Sequence, residues 1–430
     1  MRAAIAEPAG DASPSLVTFP HAVERAKEMN YAPLQQSTAG GRRLFSPDVL
    51  RGAAACLVLV RHVPETTIVG QSFLEPAFQW VRSIGWIGVD LFFVLSGLLI
   101  STLIYREYDR LGEFRAQRFL IRRSFKIWPT YFVAYGLTAL MQWAAAISRG
   151  NGERAARLAD DSPWNVLFLQ NYREKGRWPH SWSIAVEEHF YLGLALIISL
   201  WLVLRPSRPE GKNAFSLIPW LWGAIAIGIF TIRWQACFPV YSWERIYYPT
   251  HMRIDSLFCG VAMGYVVWYR PHWLDFWASR IGAILGFGAL ATLWPTLWPL
   301  ESDPRCGTVG FTLMALCFSI AIGGAALHAD LGTSGAAPFR WICSGLAWIG
   351  VYSYTIYIGH SVLRTIPGVA GLWAHTLAVL QRRLGSEATL WMDRIGFWAG
   401  SIALGVVLSH AVERPFLRLR TRLYSAGTQH

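Results

Sequence analysis

Ten apolar stretches of bilayer-spanning length recur along this chain, separated by short polar, charged or Pro/Gly-rich segments. Their limits read 46–64, 86–105, 127–147, 183–204, 216–235, 252–269, 281–299, 308–328, 345–366 and 393–412. Runs of about 20 apolar residues are long enough to cross a bilayer as helices. The pattern therefore predicts an all-α membrane protein, with about ten transmembrane helices in a single bundle spanning 46–413. An even number of crossings puts both ends on one side. Basic residues crowd the loops that an inside N-terminus makes cytoplasmic: 106–126 is rich in Lys and Arg, and 414–422 holds Arg414, Arg418, Arg420 and Arg422. By the positive-inside rule both termini are cytoplasmic. Residues 1–45 lack an apolar core and are expected to form a flexible cytoplasmic tail, and 414–430 a basic one. Two stretches on the outer side, 148–182 and 367–392, exceed what a connector needs. They read as mixed-charge, aromatic-bearing loops suited either to a carbohydrate or to interfacial anchoring.

Composition agrees with this class. The 430 residues are 53% hydrophobic and 15% charged, with 22 Trp, as expected of a polytopic protein with aromatic belts. The net charge of +12 sits between apolar runs, where topology explains it, and nucleic acid is excluded as a partner. The six cysteines have no metal-binding spacing, and no metal site is expected. Cys237 and Cys306 both fall in outer loops and are a conceivable disulfide.

The polar residues inside the apolar runs carry the chemistry, because lipid penalises each of them. Arg51 and His62 stand eleven residues apart in the first run. On a helix this is within about 20° of one face and about 16 Å along the axis. Asp90 lies in the first turn of the second run, either as a cap or orienting a partner. Arg122, Arg123 and Lys126 lead into the third and suit a phosphate clamp or a plain topology signal. In the fourth, which opens at Trp182, Ser183, Glu187 and Tyr191 line up at i, i+4 spacing. Glu187 is positioned to hold His62 in one tautomer or to share its proton transfer. Arg253 and Asp255, two residues apart, cannot face each other on a helix, so each meets a partner elsewhere. Ser353, Tyr357 and His360 share a face in the ninth run. Glu413 and Arg414 are expected to pair before Pro415 stops the last helix.

Taken in order, these elements resemble the acyltransferase-3 family of integral membrane O-acyltransferases: Arg51 with His62, the run from Gly88 to Gly97, Arg123 with Lys126 and Pro129, Trp182-Ser183 with Glu187, Phe190 and Tyr191, Arg253 with Asp255, Ser353-Tyr354 with Tyr357 and His360, and Glu413-Arg414-Pro415. The resemblance covers about residues 44–420. It implies transfer of an acetyl or other short acyl group from acyl-CoA, acetyl-CoA foremost, to a hydroxyl of a cell-surface glycan or glycolipid, in a bacterial inner membrane. Arg51, Arg122, Arg123 and Lys126 would hold the CoA phosphates. His62, with Glu187 and Arg51, would do the chemistry, by direct transfer or through an acyl-histidine. Asp90, Trp182, Ser183, Tyr191, Arg253, Asp255, Ser353, Tyr357 and His360 would support the substrates. The chain departs from the family pattern at Lys126, where Arg is usual, and at His189, where Gln is usual and a second titratable group near the site results. No extracytoplasmic SGNH-type domain, which some relatives carry, is expected here. The competing readings are a transporter or flippase for a lipid-linked saccharide, which the lack of repeated halves disfavours, and an acyltransferase acting on a small natural product.

Overall fold

The computed structural model describes residues 45–64, 72–173, 178–204, 213–278, 281–327, 337–363, 366 and 369–425; the expected tail before Phe45 lies outside them. Among these residues there is no strand, and all ten apolar stretches are helical. The principal helices are α1 (Phe45–Arg61), α2 (Glu75–Ile84), α3 (Ile87–Leu111), α4 (Ala116–Ser148), α5 (Gly152–Val166), α6 (Trp182–Leu204), α7 (Ile218–Cys237) and α8 (Ile254–Tyr269). They continue as α9 (Ile281–Leu297), α10 (Phe311–Leu327), α11 (Ala337–Val351), α12 (Ser353–Leu363), α13 (Val369–Leu384), α14 (Ser386–Leu408) and α15 (Arg414–Ser425). Four helical segments are long and apolar enough to cross a membrane, and a fifth if α11 and α12 count as one span. The chain is an integral membrane protein.

Two seams without side chains hold the bundle together. On α3 and α8, a Cβ at Gly97 would lie 2.0 Å from Leu257 O, and one at Gly260 would lie 2.2 Å from Val94 O. On α1 and α11, Gly52 meets Leu346 O and Gly350 meets Asp48 O at similarly prohibitive range. Backbones come this close only at glycine, which is how helices in lipid gain packing without a hydrophobic driving force. Buried ion pairs reinforce the first seam. Arg253 bonds Asp90 on α3 at 2.5 Å, with Ser256 on the same carboxylate, and stacks on Phe311 at 3.7 Å. Asp255 takes Arg233 of α7 at 2.5 Å and Thr312 of α10 at 2.8 Å. The two-residue spacing thus sends each charge to a different helix, and four helices are tied through side chains that expose almost nothing. Asp90 is an ion-pair partner, not a cap.

Several expectations need correction. The ninth apolar stretch is not one straight helix, because α11 and α12 meet at 72°. The outer stretches are largely helical: α5 fills much of one and α13 much of the other. Pro415 does not end the last helix. A π-helical turn at Ser409–Glu413 precedes it and the helix resumes as α15, so the expected basic tail is helical to Ser425. The wider turn shifts the register, which accommodates a residue with no N–H to donate. Glu413 pairs with Lys126 rather than Arg414, which instead bonds His410 and Tyr352. All six cysteines are free thiols, Cys237 and Cys306 included.

Candidate functional site

At the end of α1 the chain turns at His62, whose ring meets two other imidazoles. Centroid distances are 4.4 Å to His180, on the short turn Pro179–Ser181, and 4.9 Å to His360 of α12. His180 and His360 stand 5.2 Å apart. The Nδ1 of His62 lies 2.9 Å from Val58 O. A carbonyl only accepts, so Nδ1 carries the proton and Nε2 the lone pair. The hydrogen bond that sets this tautomer comes from α1 itself. Glu187 is instead bonded by Ser96 at 3.5 Å and by Tyr191 at 2.6 Å.

His62 and His180 border a cavity of about 180 Å³, walled by Trp86, Trp182, Trp243, Tyr247 and Tyr248, with Arg61 and Tyr357 among its polar edges. Arg61 is tied to Glu301 at 2.8 Å. Trp178 bonds Ser361 at 2.9 Å, which pins the turn bearing His180 to α12. Aromatic faces with a few polar groups form the surface a sugar ring or other amphipathic acceptor would meet.

From this chamber a polar ladder descends α6. Ser183 is 2.6 Å from Tyr357 OH, which donates to His180 O at 2.7 Å. Glu187 follows one turn on, reached by Ser96 of α3, and Tyr191 a further turn on. Arg51 and Arg123 lie within electrostatic range of Glu187. Glu187 and Arg123 are enclosed by protein yet keep some accessible surface. Among the described residues Arg123 has no ion pair or hydrogen bond, and its Nε is buried. Its neighbours are engaged: Arg122 with Glu107 at 3.0 Å, Arg51 loosely with Asp48 at 3.4 Å, and Lys126 with Glu413.

Other predicted residues fall outside this line. Arg253, Asp255 and Asp90 belong to the buried ion-pair lattice, although Trp182 touches both lattice and cavity. Ser353 is buried at the start of α12, two turns from His360. His189 does not add a titratable group to the three-imidazole cluster: it bonds Thr250 at 2.6 Å and faces Tyr172. Glu188 accepts from Trp128 at 3.0 Å. His180 precedes the fourth span and shares no helical spacing with His62, so periodicity does not bring it to the site. The loop aromatics Tyr247 and Tyr248 carried no signal at all.

Comparison with known proteins adds a family. The acyltransferase-3 sequence profile, described as an acyltransferase domain, matches residues 44–414. A peptidoglycan O-acetyltransferase, OatA of Listeria monocytogenes, is 25% identical over 338 residues, covering 75% of this chain and 49% of its own. The O-acetyltransferase OatA of Staphylococcus aureus is 28% identical over 299 residues, covering 66% and 46%. The chain thus spans about half the length of the curated relatives it matches. No solved structure matches it.

Proposed function

Since this chain belongs to the acyltransferase-3 family, we propose that it is a membrane O-acyltransferase, moving an acetyl or other short acyl group from acyl-CoA to a hydroxyl of a cell-surface glycan or glycolipid. The observation that carries the reading is the ladder from Arg123, a cation with no ion pair among the described residues, to an imidazole chamber. Arg123, with Arg51 beside it, offers guanidinium donors to the phosphates or thioester end of the donor. Lys126 and Arg122 would have to exchange their carboxylates for phosphate. At the other end, Nε2 of His62 takes the proton as the acceptor oxygen attacks the thioester carbonyl. A C–O bond forms, the C–S bond breaks, and the proton passes to the departing sulfur. CoA brings the activated bond; the protein supplies position and proton handling. Glu187, bonded by Ser96 and Tyr191, holds the middle of the ladder. In this reading all ten helical stretches cross a bacterial inner membrane, with both termini and the cation end cytoplasmic.

The proximity of a second imidazole favours one variant, in which His62 accepts the acyl group and His180 deprotonates the acceptor. Rapid-quench labelling with radioactive acetyl-CoA separates the two: a labelled protein lost in His62→Ala supports the relay, and none supports direct transfer. The reading as a whole is tested by NMR of surface glycans from cells with and without the protein, together with acetyl transfer by the purified protein. Unchanged O-acylation and no transfer or hydrolysis of acetyl-CoA would leave the transporter reading instead.

A further inference from the structure

Three imidazoles on three separate elements converge at the chamber, and their chemistry goes beyond proton transfer. One ring nitrogen from each of His62, His180 and His360 lies within 4.8 Å of the others. We propose that they form a binding site for a single borderline transition-metal cation of the Zn²⁺ class, and that this cation, by coordinating His62, shuts the acyl-transfer site.

Three imidazoles with an open fourth position make a donor set that suits zinc. The bond from His62 Nδ1 to Val58 O supplies the outer contact that metal-binding histidines use to fix orientation and raise ligand basicity. It also leaves Nε2 as the nitrogen with a lone pair to offer a metal. The Tyr357 bond to His180 O anchors the second ligand's backbone, and His360 is fully buried. Zinc at about 2.0–2.1 Å from each nitrogen needs them roughly 3.3 Å apart. The cluster must therefore contract by up to about 1.5 Å, a movement open to the half-buried rings of His62 and His180 by side-chain rotation. The cavity gives an entry path and room for a fourth ligand, water or an acceptor hydroxyl.

The inhibition rests on the reading of His62 as the base, because a nitrogen that binds metal has no lone pair left to take a proton. Binding itself does not rest on that reading, so the two fail separately. The test uses tag-free full-length protein in detergent. Zn²⁺ is titrated calorimetrically, and Co²⁺ by its visible ligand-field absorption. The expected result is one equivalent bound, with affinity lowered at least about tenfold in His180→Ala and in His360→Asn, and unchanged in His410→Ala. Since His360 is fully buried and its replacement can disturb folding, His180→Ala, at a half-buried position on a short turn, is the deciding variant. Absence of stoichiometric binding, or binding that His180→Ala leaves intact, overturns the proposal. In acetyl transfer, Zn²⁺ should inhibit the wild type and a chelator restore it. Stoichiometric binding with transfer unaffected overturns the inhibitory part alone, and binding by a protein inactive even when metal-free indicts the catalytic reading instead.

Discussion

The tautomer of His62 is decided by one backbone carbonyl, and this makes the residue's role sharp. With Nδ1 committed to Val58 O, Nε2 is the nitrogen that can accept a proton. His62→Ala should lower acetyl transfer by about 10²–10⁴-fold, the range of general-base catalysis, while the protein elutes as a monodisperse species from gel filtration. His62→Gln keeps a polar side chain but no base and should be as inactive. Near-normal turnover in either would remove His62 from the chemistry. Arg123 makes the complementary case. It is the enclosed cation without an ion pair among the described residues, so Arg123→Ala should raise the KM for acetyl-CoA about tenfold or more, through loss of charge-assisted bonds. Arg123→Lys should recover only part, since a point charge lacks the guanidinium fork. A KM unchanged in Arg123→Ala would shift donor binding to Lys126 and its neighbours.

Between elements, the energetics lie in close backbone approach and in paired charge. A methyl group at Gly260 would overlap Val94 O on α3. Gly260→Ala is therefore expected to cost about 1–3 kcal/mol or more, as overpacking does, and to lower the temperature of aggregation in detergent. Equal thermal stability would mean the seam yields where the geometry shows no room. The short helix α2 is held differently. Arg394 of α14 donates to both oxygens of Glu75 at 2.8 Å and stacks on Phe78. These bonds hold the Glu75 carboxyl below its ordinary value. Because the folded value is depressed, the contribution is complete at neutral pH and disappears as pH falls through that lowered value. Hydrogen exchange in α2 should stay slow down to about pH 4 and quicken below it, and in Glu75→Gln it should be fast already at neutral pH. The π-helical turn is the third device at this scale, turning Glu413 to Lys126 and the cation end of the bundle.

For the molecule as a whole, the central matter is which end faces which compartment. In the proposed topology α5 lies outside and the α3–α4 connection inside. Five of the native thiols are buried and Cys56 is half-buried, so background labelling should be low. In intact cells a membrane-impermeant maleimide should label Glu153→Cys readily and Glu113→Cys only after permeabilisation. The reverse pattern would invert the topology and put the imidazole chamber on the cytoplasmic side.

The sequence by itself determined the class and the elements, because apolar runs of bilayer length have no alternative but helix. It also determined that Arg253 and Asp255 need partners on other helices, because a spacing of two cannot close on a helix. Helix spacing likewise made the Ser183–Glu187–Tyr191 stripe legible. Only the tertiary structure decided which partners were met: Asp90 for Arg253, Arg233 for Asp255, and Val58 rather than Glu187 for the tautomer of His62. It alone brought His180 from a turn and His360 from beyond a 72° bend to His62, and wrapped loop aromatics around them. Periodicity encodes the face of a single helix, whereas a chamber is set by how several helices cross, and that depends on where glycines let backbones touch and where buried charges must find each other.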